Sequence, residues 1–127
     1  MSTILVPIDF SEETPEVIEC AALLARRNRS QLVLMHVTPA APGGEAESGV
    51  LDKLERLERY LRDEGYEVST TVCDGEPARE IVDYRSRIHA DCIIMGRHDH
   101  VSAAGRAKSP VTTYVEERAG CTVVAVP

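Results

Sequence analysis

Residues 92–113 read CIIMGRHDHVSAAGRAKSPVTT, and this stretch decides the fold. Cys92-Ile93-Ile94-Met95 is a short, continuous apolar run, as a strand buried on both faces requires. Ser109-Pro110 is a helix start: serine offers a cap oxygen, and proline suits the first turn, where its missing N–H costs nothing. A strand that leaves through Gly96 into a basic loop and a new helix N-terminus has the geometry that holds a phosphate. Arg97, Arg106 and Lys108 stand in that loop against Asp99 alone, with His98 and His100 beside them.

Downstream, the helix continues through Val111, Tyr114, Val115 and Arg118 to Gly120, and Cys121-Thr122-Val123-Val124-Ala125-Val126 makes a last strand. Upstream, Pro77 opens a helix whose apolar line is Ile81, Val82, Tyr84 and Ile88. Residues 66–73 alternate Val68, Thr70 and Val72 with Ser69, Thr71 and Cys73, a pattern suited to a strand at a sheet edge. A helix over about residues 50–64 places Leu51, Leu54, Leu57 and Leu61 on its buried side, with Gly65 at its C-terminal cap. Before it, TPAAPGGEAESG over residues 38–49 reads as a flexible connection.

Gln31 to Val37 and Ile4 to Ile8 are two further strands. Between them, Val17, Ile18, Ala21, Ala22, Leu24 and Ala25 form a helical stripe that begins at Ser11 or at Thr14-Pro15. Strands thus alternate with helices throughout. That alternation predicts an α/β fold, a parallel sheet with helices on both faces, in one Rossmann-like domain over residues 1–127. The most continuous apolar runs, strands one and four, belong at the centre, which gives the five-stranded order 3-2-1-4-5. Ligands bind outside the carboxyl ends of such strands where the order reverses, so Asp9 and Gly96 arrive at the expected site.

A chain of 127 residues supports one domain with a real core. Apolar residues at 43% and charged residues at 28% describe an ordinary soluble protein. No apolar run approaches the roughly 20 residues of a membrane span, and no charged-then-apolar leader opens the sequence, so a cytoplasmic location is expected. The formal net charge of −7 opposes binding to nucleic acid or to an anionic membrane surface. A basic island in an acidic chain favours a small anionic ligand instead.

Cys20, Cys73, Cys92 and Cys121 are widely separated, without a CxxC pair, and are expected to be buried reduced thiols. His98-Asp99-His100 is the one cluster with metal-like chemistry. It lacks a third ligand, because His36 and His89 have no evident reason to converge there, so no metal is expected.

The chain resembles the universal stress proteins over nearly its whole length. The resemblance rests on ILVPIDFSEET at the start, LVLMHV in strand two, DGEPAREIV, ADCIIMG in strand four and the closing GCTVVAVP. It implies a homodimer made or used under stress, and it implies ATP as the ligand of many members but not of all. In the ATP-binding branch the loop after strand four carries a glycine, two residues, a second glycine, nine residues, then glycine with serine or threonine. Here the first is Gly96, but the others are Asp99, Ser109 and Pro110.

Each departure has a physical consequence. Asp99 restricts the backbone and adds negative charge beside a phosphate. Pro110 removes one amide donor from the helix N-terminus, and Ser109 is free to engage its oxygen in capping. The adenosine side matches better: Asp9 aligns with the acidic residue that holds adenosine, and Pro7, Ile8 and Val37 with the apolar adenine pocket. Without the resemblance, Asp9 reads equally as a strand-end turn carboxylate and the apolar three as core. Candidate nucleotide- or anion-binding residues are therefore Pro7, Ile8, Asp9, Val37, Met95, Gly96, Arg97, His98, Ser109 and Val111.

The expectation is a dimeric interaction or regulatory module without tight ATP binding, acting on a protein partner. The alternative is an ATP-binding member in which Arg97, His98, His100, Arg106 and Lys108 replace the glycines electrostatically. No cofactor is required by the residues themselves. A receiver domain is set aside because only Asp9 follows strand one and no lysine follows strand five. A flavin carrier is set aside because strand one lacks a phosphate-binding Ser/Thr/Gly run and the chain has no tryptophan. No nucleophile, base and orienting group can be grouped, so no enzyme is expected. The dimer is expected through Cys121, Thr122, Val123, Val124, Ala125 and Val126, an uncharged edge that would otherwise be an open pairing template.

Overall fold

The computed structural model describes residues 2–39, 49–97 and 108–127. Its elements run β1 (Thr3–Pro7), α1 (Thr14–Asn28), β2 (Gln31–Thr38), α2 (Val50–Asp63), β3 (Val68–Asp74), α3 (Pro77–Ile88), β4 (Cys92–Gly96), α4 (Pro110–Arg118) and β5 (Thr122–Val126). The strands form one sheet in the order β3-β2-β1-β4-β5, with every pairing parallel. The expected strand order and both central strands are as the apolar runs indicate. The connection expected to be flexible lies, for residues 40–48, outside the described residues.

Side-chain alternation divides the core in two. Ile4, Val6 and Ile8 point to one face, where Val17, Ile18, Ala21 and Ala25 of α1 and Val50, Leu54 and Leu61 of α2 cover them. Leu5, Val33, Met35, Ile93 and Met95 point to the other, under Ile81 of α3 and Val115 and Ala119 of α4. Two helices per face bury both sides of the central strands, which is why those strands tolerate no alternation.

Three expectations are corrected. Leu51 is 64% exposed, because Val50 takes the seat on the core in the first turn of α2. Helix α1 is capped by Glu13, not by Ser11 or Thr14, and Glu13 makes no side-chain cap bond. Ser11 instead builds the turn before the helix: its N–H donates to Asp9 Oδ1 and its Oγ accepts from Glu13 N–H. The four cysteines are free but half-buried rather than buried. Burial pushes the Cys73, Cys92 and Cys121 thiols up from their ordinary value, so they stay protonated and poorly nucleophilic.

β1 pairs with β2 along its whole length, from Thr3↔Gln31 to Pro7↔Met35. Against β4 it pairs only at Ile4↔Cys92 and Leu5↔Ile93. Ile8 N–H donates to Met35 O on the β2 side. Successive residues alternate sides, so the missing N–H of Pro7 faces β4, where the ladder has already stopped. A proline in a central strand is thereby harmless, and a crevice opens between the carboxyl ends of β1 and β4.

Candidate functional site

The crevice widens into a cleft of about 520 Å³. Eight of the residues expected there line it: Pro7, Ile8, Asp9, Val37, Met95, Gly96, Ser109 and Val111. Arg97 does not: its side chain is exposed, while its backbone N–H donates to Val126 O and its carbonyl accepts from Ser109 N–H. His98 lies outside the described residues, as do Asp99, His100 and Arg106. Lys108, one of the cations of the alternative reading, pairs its Nζ with Glu116 on α4 at 2.7 Å.

One end of the cleft is formed by β1 and β2. His36, buried near the end of β2, points its ring back at β1, and Nδ1 lies 2.7 Å from Ile8 O. A carbonyl can only accept, so Nδ1 carries the proton. Phe10 follows, with φ of 59°, a left-handed conformation that costs a residue with a Cβ on the order of 1 kcal/mol. That turn brings the Phe10 ring to 5.4 Å from the His36 ring, tilted by 45°. Lys53, from the first turns of α2, sets its ammonium 5.3 Å from the Phe10 centroid. It is the one lysine or arginine among the described residues that line the cleft. Asp9 is exposed beside them, one oxygen held by Ser11 N–H. The turn reading of Asp9 therefore describes its geometry, and Asp9 also lies on the cleft wall.

Phe10, His36 and Lys53 were not among the expected residues. Two of them had a signal: Phe10 is the only phenylalanine in the chain and follows Asp9 directly, and His36 is a polar residue inside the LVLMHV run. Lys53 had none, since it is one charged residue on a helix rich in them.

The other end is formed by β4 and α4, and here the polar groups are engaged with one another. Ser109 caps α4, its Oγ accepting from Val111 N–H at 3.1 Å. Thr113 N–H returns to Ser109 O, and Ser109 N–H is held by Arg97 O. Pro110 has no donor. Thr112 is buried, and its hydroxyl donates to Gly96 O at 2.9 Å, fastening α4 to the end of β4. The N–H groups that an anion would take at this helix start are thus largely occupied or missing.

Gly96 is also covered. A Cβ placed on it would run into Glu13 Oε2, so the Glu13 carboxylate lies directly on the backbone of Gly96. Glycine permits that close approach, and a larger residue would have to push the tip of the Glu13 side chain aside. Among the described residues, no group of three histidine, cysteine or acidic side chains is arranged to hold a metal ion.

Comparison with known proteins agrees with this architecture. The sequence profile described as the universal stress protein family matches residues 1–127. A universal stress protein of Synechocystis is 30% identical, covering 98% of this chain and 85% of that protein. The structure of a universal stress protein from Archaeoglobus fulgidus in complex with dAMP superposes with a TM-score of 0.76 at 22% identity, covering 100% of this chain and 98% of that one. A universal stress protein in complex with cAMP gives 0.75 at 18% identity, covering 99% and 97%.

Proposed function

Because the chain belongs to the universal stress protein family, we propose that it acts as a dimeric interaction and regulatory module whose cleft does not hold ATP tightly. One observation carries this reading: the start of α4 has its serine oxygen and the Ser109, Val111 and Thr113 amides engaged internally, with a proline at its first position. Each charge-assisted hydrogen bond lost from a phosphate costs about 1.5–3 kcal/mol, or roughly ten- to a hundredfold in affinity. We assign the protein no catalytic role. Its half-buried free thiols support the cytoplasm as its compartment.

Calorimetric titration with magnesium and ATP tests the cleft. The dissociation constant is expected above about 100 μM, given two or three missing phosphate contacts. Binding at low micromolar concentration would overturn the reading.

The dimer is proposed through β5, an edge strand without charge. Val126 O faces β4, where it accepts from Arg97 N–H, so by alternation Val123 and Ala125 direct their backbone groups to the free edge. Ala125→Pro removes one outward donor and spares the β4 ladder. Light scattering should show a dimer for the wild type and a monomer for this variant; a wild-type monomer, or a variant that stays dimeric, would place the interface elsewhere.

A second reading, a nucleotide-responsive member, is favoured by the formed β1–β2 end of the cleft and by the nucleotides in two proteins of the same fold. It predicts micromolar binding in the same titration.

A further inference from the structure

We propose that Cys20 and Cys92 are a modification site: a thiol pair that a peroxide converts into a reversible disulfide, tying α1 to β4 beneath the cleft. The pair is independent of what the cleft holds.

The way α1 lies on the sheet brings the two residues together. Helices between parallel strands run antiparallel to them, so α1 begins over the carboxyl end of β4 and descends towards its amino end. Glu13 marks the start. Its backbone is already helical, and its Cβ lies 3.7 Å from where a Cβ on Gly96 would stand. Disulfides span Cβ atoms about 3.5–4.5 Å apart, so the helix rides as close to β4 as a bridge requires. Cys20 follows Glu13 by seven residues, roughly two turns, and so returns to the same side of the helix about 10 Å further along. Cys92 precedes Gly96 by four residues, an even number, and so faces the same side of the sheet about 13 Å back. The two descents end at nearly one level.

Packing agrees with this placement. Cys20 and Cys92 both lie against the core that Val6, Val17, Ala21 and Ile94 form on this face. Burial first, then the charges of Cys121 and Cys20, push the Cys92 thiol up, which puts Cys20 within electrostatic reach of it. Cys121 is ruled out as the partner by parity. It precedes Thr122, the register partner of Cys92, by one residue, and it packs on the opposite face with Leu5 and Val115. Cys73 stands on β3, at the far edge of the sheet.

Half-buried Cys20 reacts first. Its thiolate attacks the peroxide, the O–O bond breaks, and a sulfenic acid and a hydroxide result. The Cys92 thiol then attacks that sulfur. The S–S bond forms, the S–O bond breaks, and the hydroxyl leaves with the Cys92 proton as water. Peroxide takes the two electrons that the paired sulfurs give up, and a dithiol returns them. The bond would hold α1 on β4 just below the cleft walls, which Thr14 and Val17 form on one element and Met95 and Gly96 on the other.

The test treats the folded wild-type protein with hydrogen peroxide, alkylates the remaining thiols and maps linked peptides by mass spectrometry. The expected product joins Cys20 to Cys92 within one chain, lowers the free-thiol count from four to two, and is reversed by dithiothreitol. Cys20→Ser should leave Cys92 a free thiol, and Cys92→Ser should stop Cys20 at a sulfenic acid that dimedone traps. Full alkylation of Cys20 and Cys92 after the treatment, a bond between other cysteines, or a bond between two chains overturns the proposal. Should Cys92→Ser fail to fold, Cys20→Ser decides with the wild-type map: a Cys92 that oxidises as readily without Cys20 overturns it in the same way.

Discussion

At the β1–β2 end of the cleft, Phe10, His36 and Lys53 gather their rings and charge around open space, whereas at the β4–α4 end Ser109, Val111, Thr112 and Gly96 turn their polar groups on one another. Both ends occupy the same topological position, the carboxyl edge of a parallel sheet where the strand order reverses. The fold therefore supplies the crevice, and a few side chains decide whether each end presents free donors. At the start of α4 a capping serine and a proline at the first helical position leave fewer amide donors facing the cleft. The β1–β2 end depends on a strained turn and a histidine folded back on the neighbouring strand.

The contrast is most strongly perturbed by reopening the closed end. Ser109→Gly with Pro110→Ser frees Val111 N–H and restores an amide at position 110. Glycine at the cap costs only a few tenths of a kcal/mol. Affinity for magnesium-ATP should rise about ten- to a hundredfold by calorimetry, as one or two charge-assisted hydrogen bonds are regained. No gain would mean that the missing donors do not limit binding.

The open end is tested through His36. His36→Phe keeps a ring beside Phe10 but leaves the buried Ile8 carbonyl without the Nδ1–H donor. Urea denaturation should show a loss of about 1–3 kcal/mol, the cost of an unsatisfied buried acceptor. Unaltered stability would show that this hydrogen bond does not hold the β1–β2 end together.

How much of this was legible in the sequence differs between the two ends. Strand order followed from apolar continuity: Ile4–Ile8 and Cys92–Met95 are unbroken, whereas residues 66–73 alternate, and central and edge strands separate on that basis. The closed end was partly legible, because Ser109-Pro110 announces its own cap and its own missing donor. Glu13 was not: nothing in a run of acidic residues at a helix start distinguishes the one whose side chain reaches another strand. His36 and Lys53 escaped for a related reason, since their roles depend on which elements the fold brings together. Glu116 on the adjoining helix pairs with Lys108, a contact that its place in the loop gave no sign of. Leu51 misled because helical periodicity alone fits it and Val50 alike.

The smallest effect sharpens the account of Gly96. Gly96→Ala puts a methyl group against Glu13 Oε2, and the obstructing atom is the tip of a flexible side chain. The cost to stability should stay under about 1 kcal/mol, and it should vanish in a Glu13→Ala background, as a double-mutant cycle would report for two groups in contact. A loss that persists without Glu13 would assign the need for glycine to the backbone instead.

The central claim, that the cleft does not hold ATP tightly, is tested most directly by the ratio of two affinities in the wild-type protein. Adenosine and magnesium-ATP are titrated calorimetrically under the same salt and pH. The account predicts that ATP binds no more tightly than adenosine, with its dissociation constant above about 100 μM. ATP binding at least about tenfold tighter than adenosine, a gain of roughly 1.4 kcal/mol from the phosphates, would contradict it.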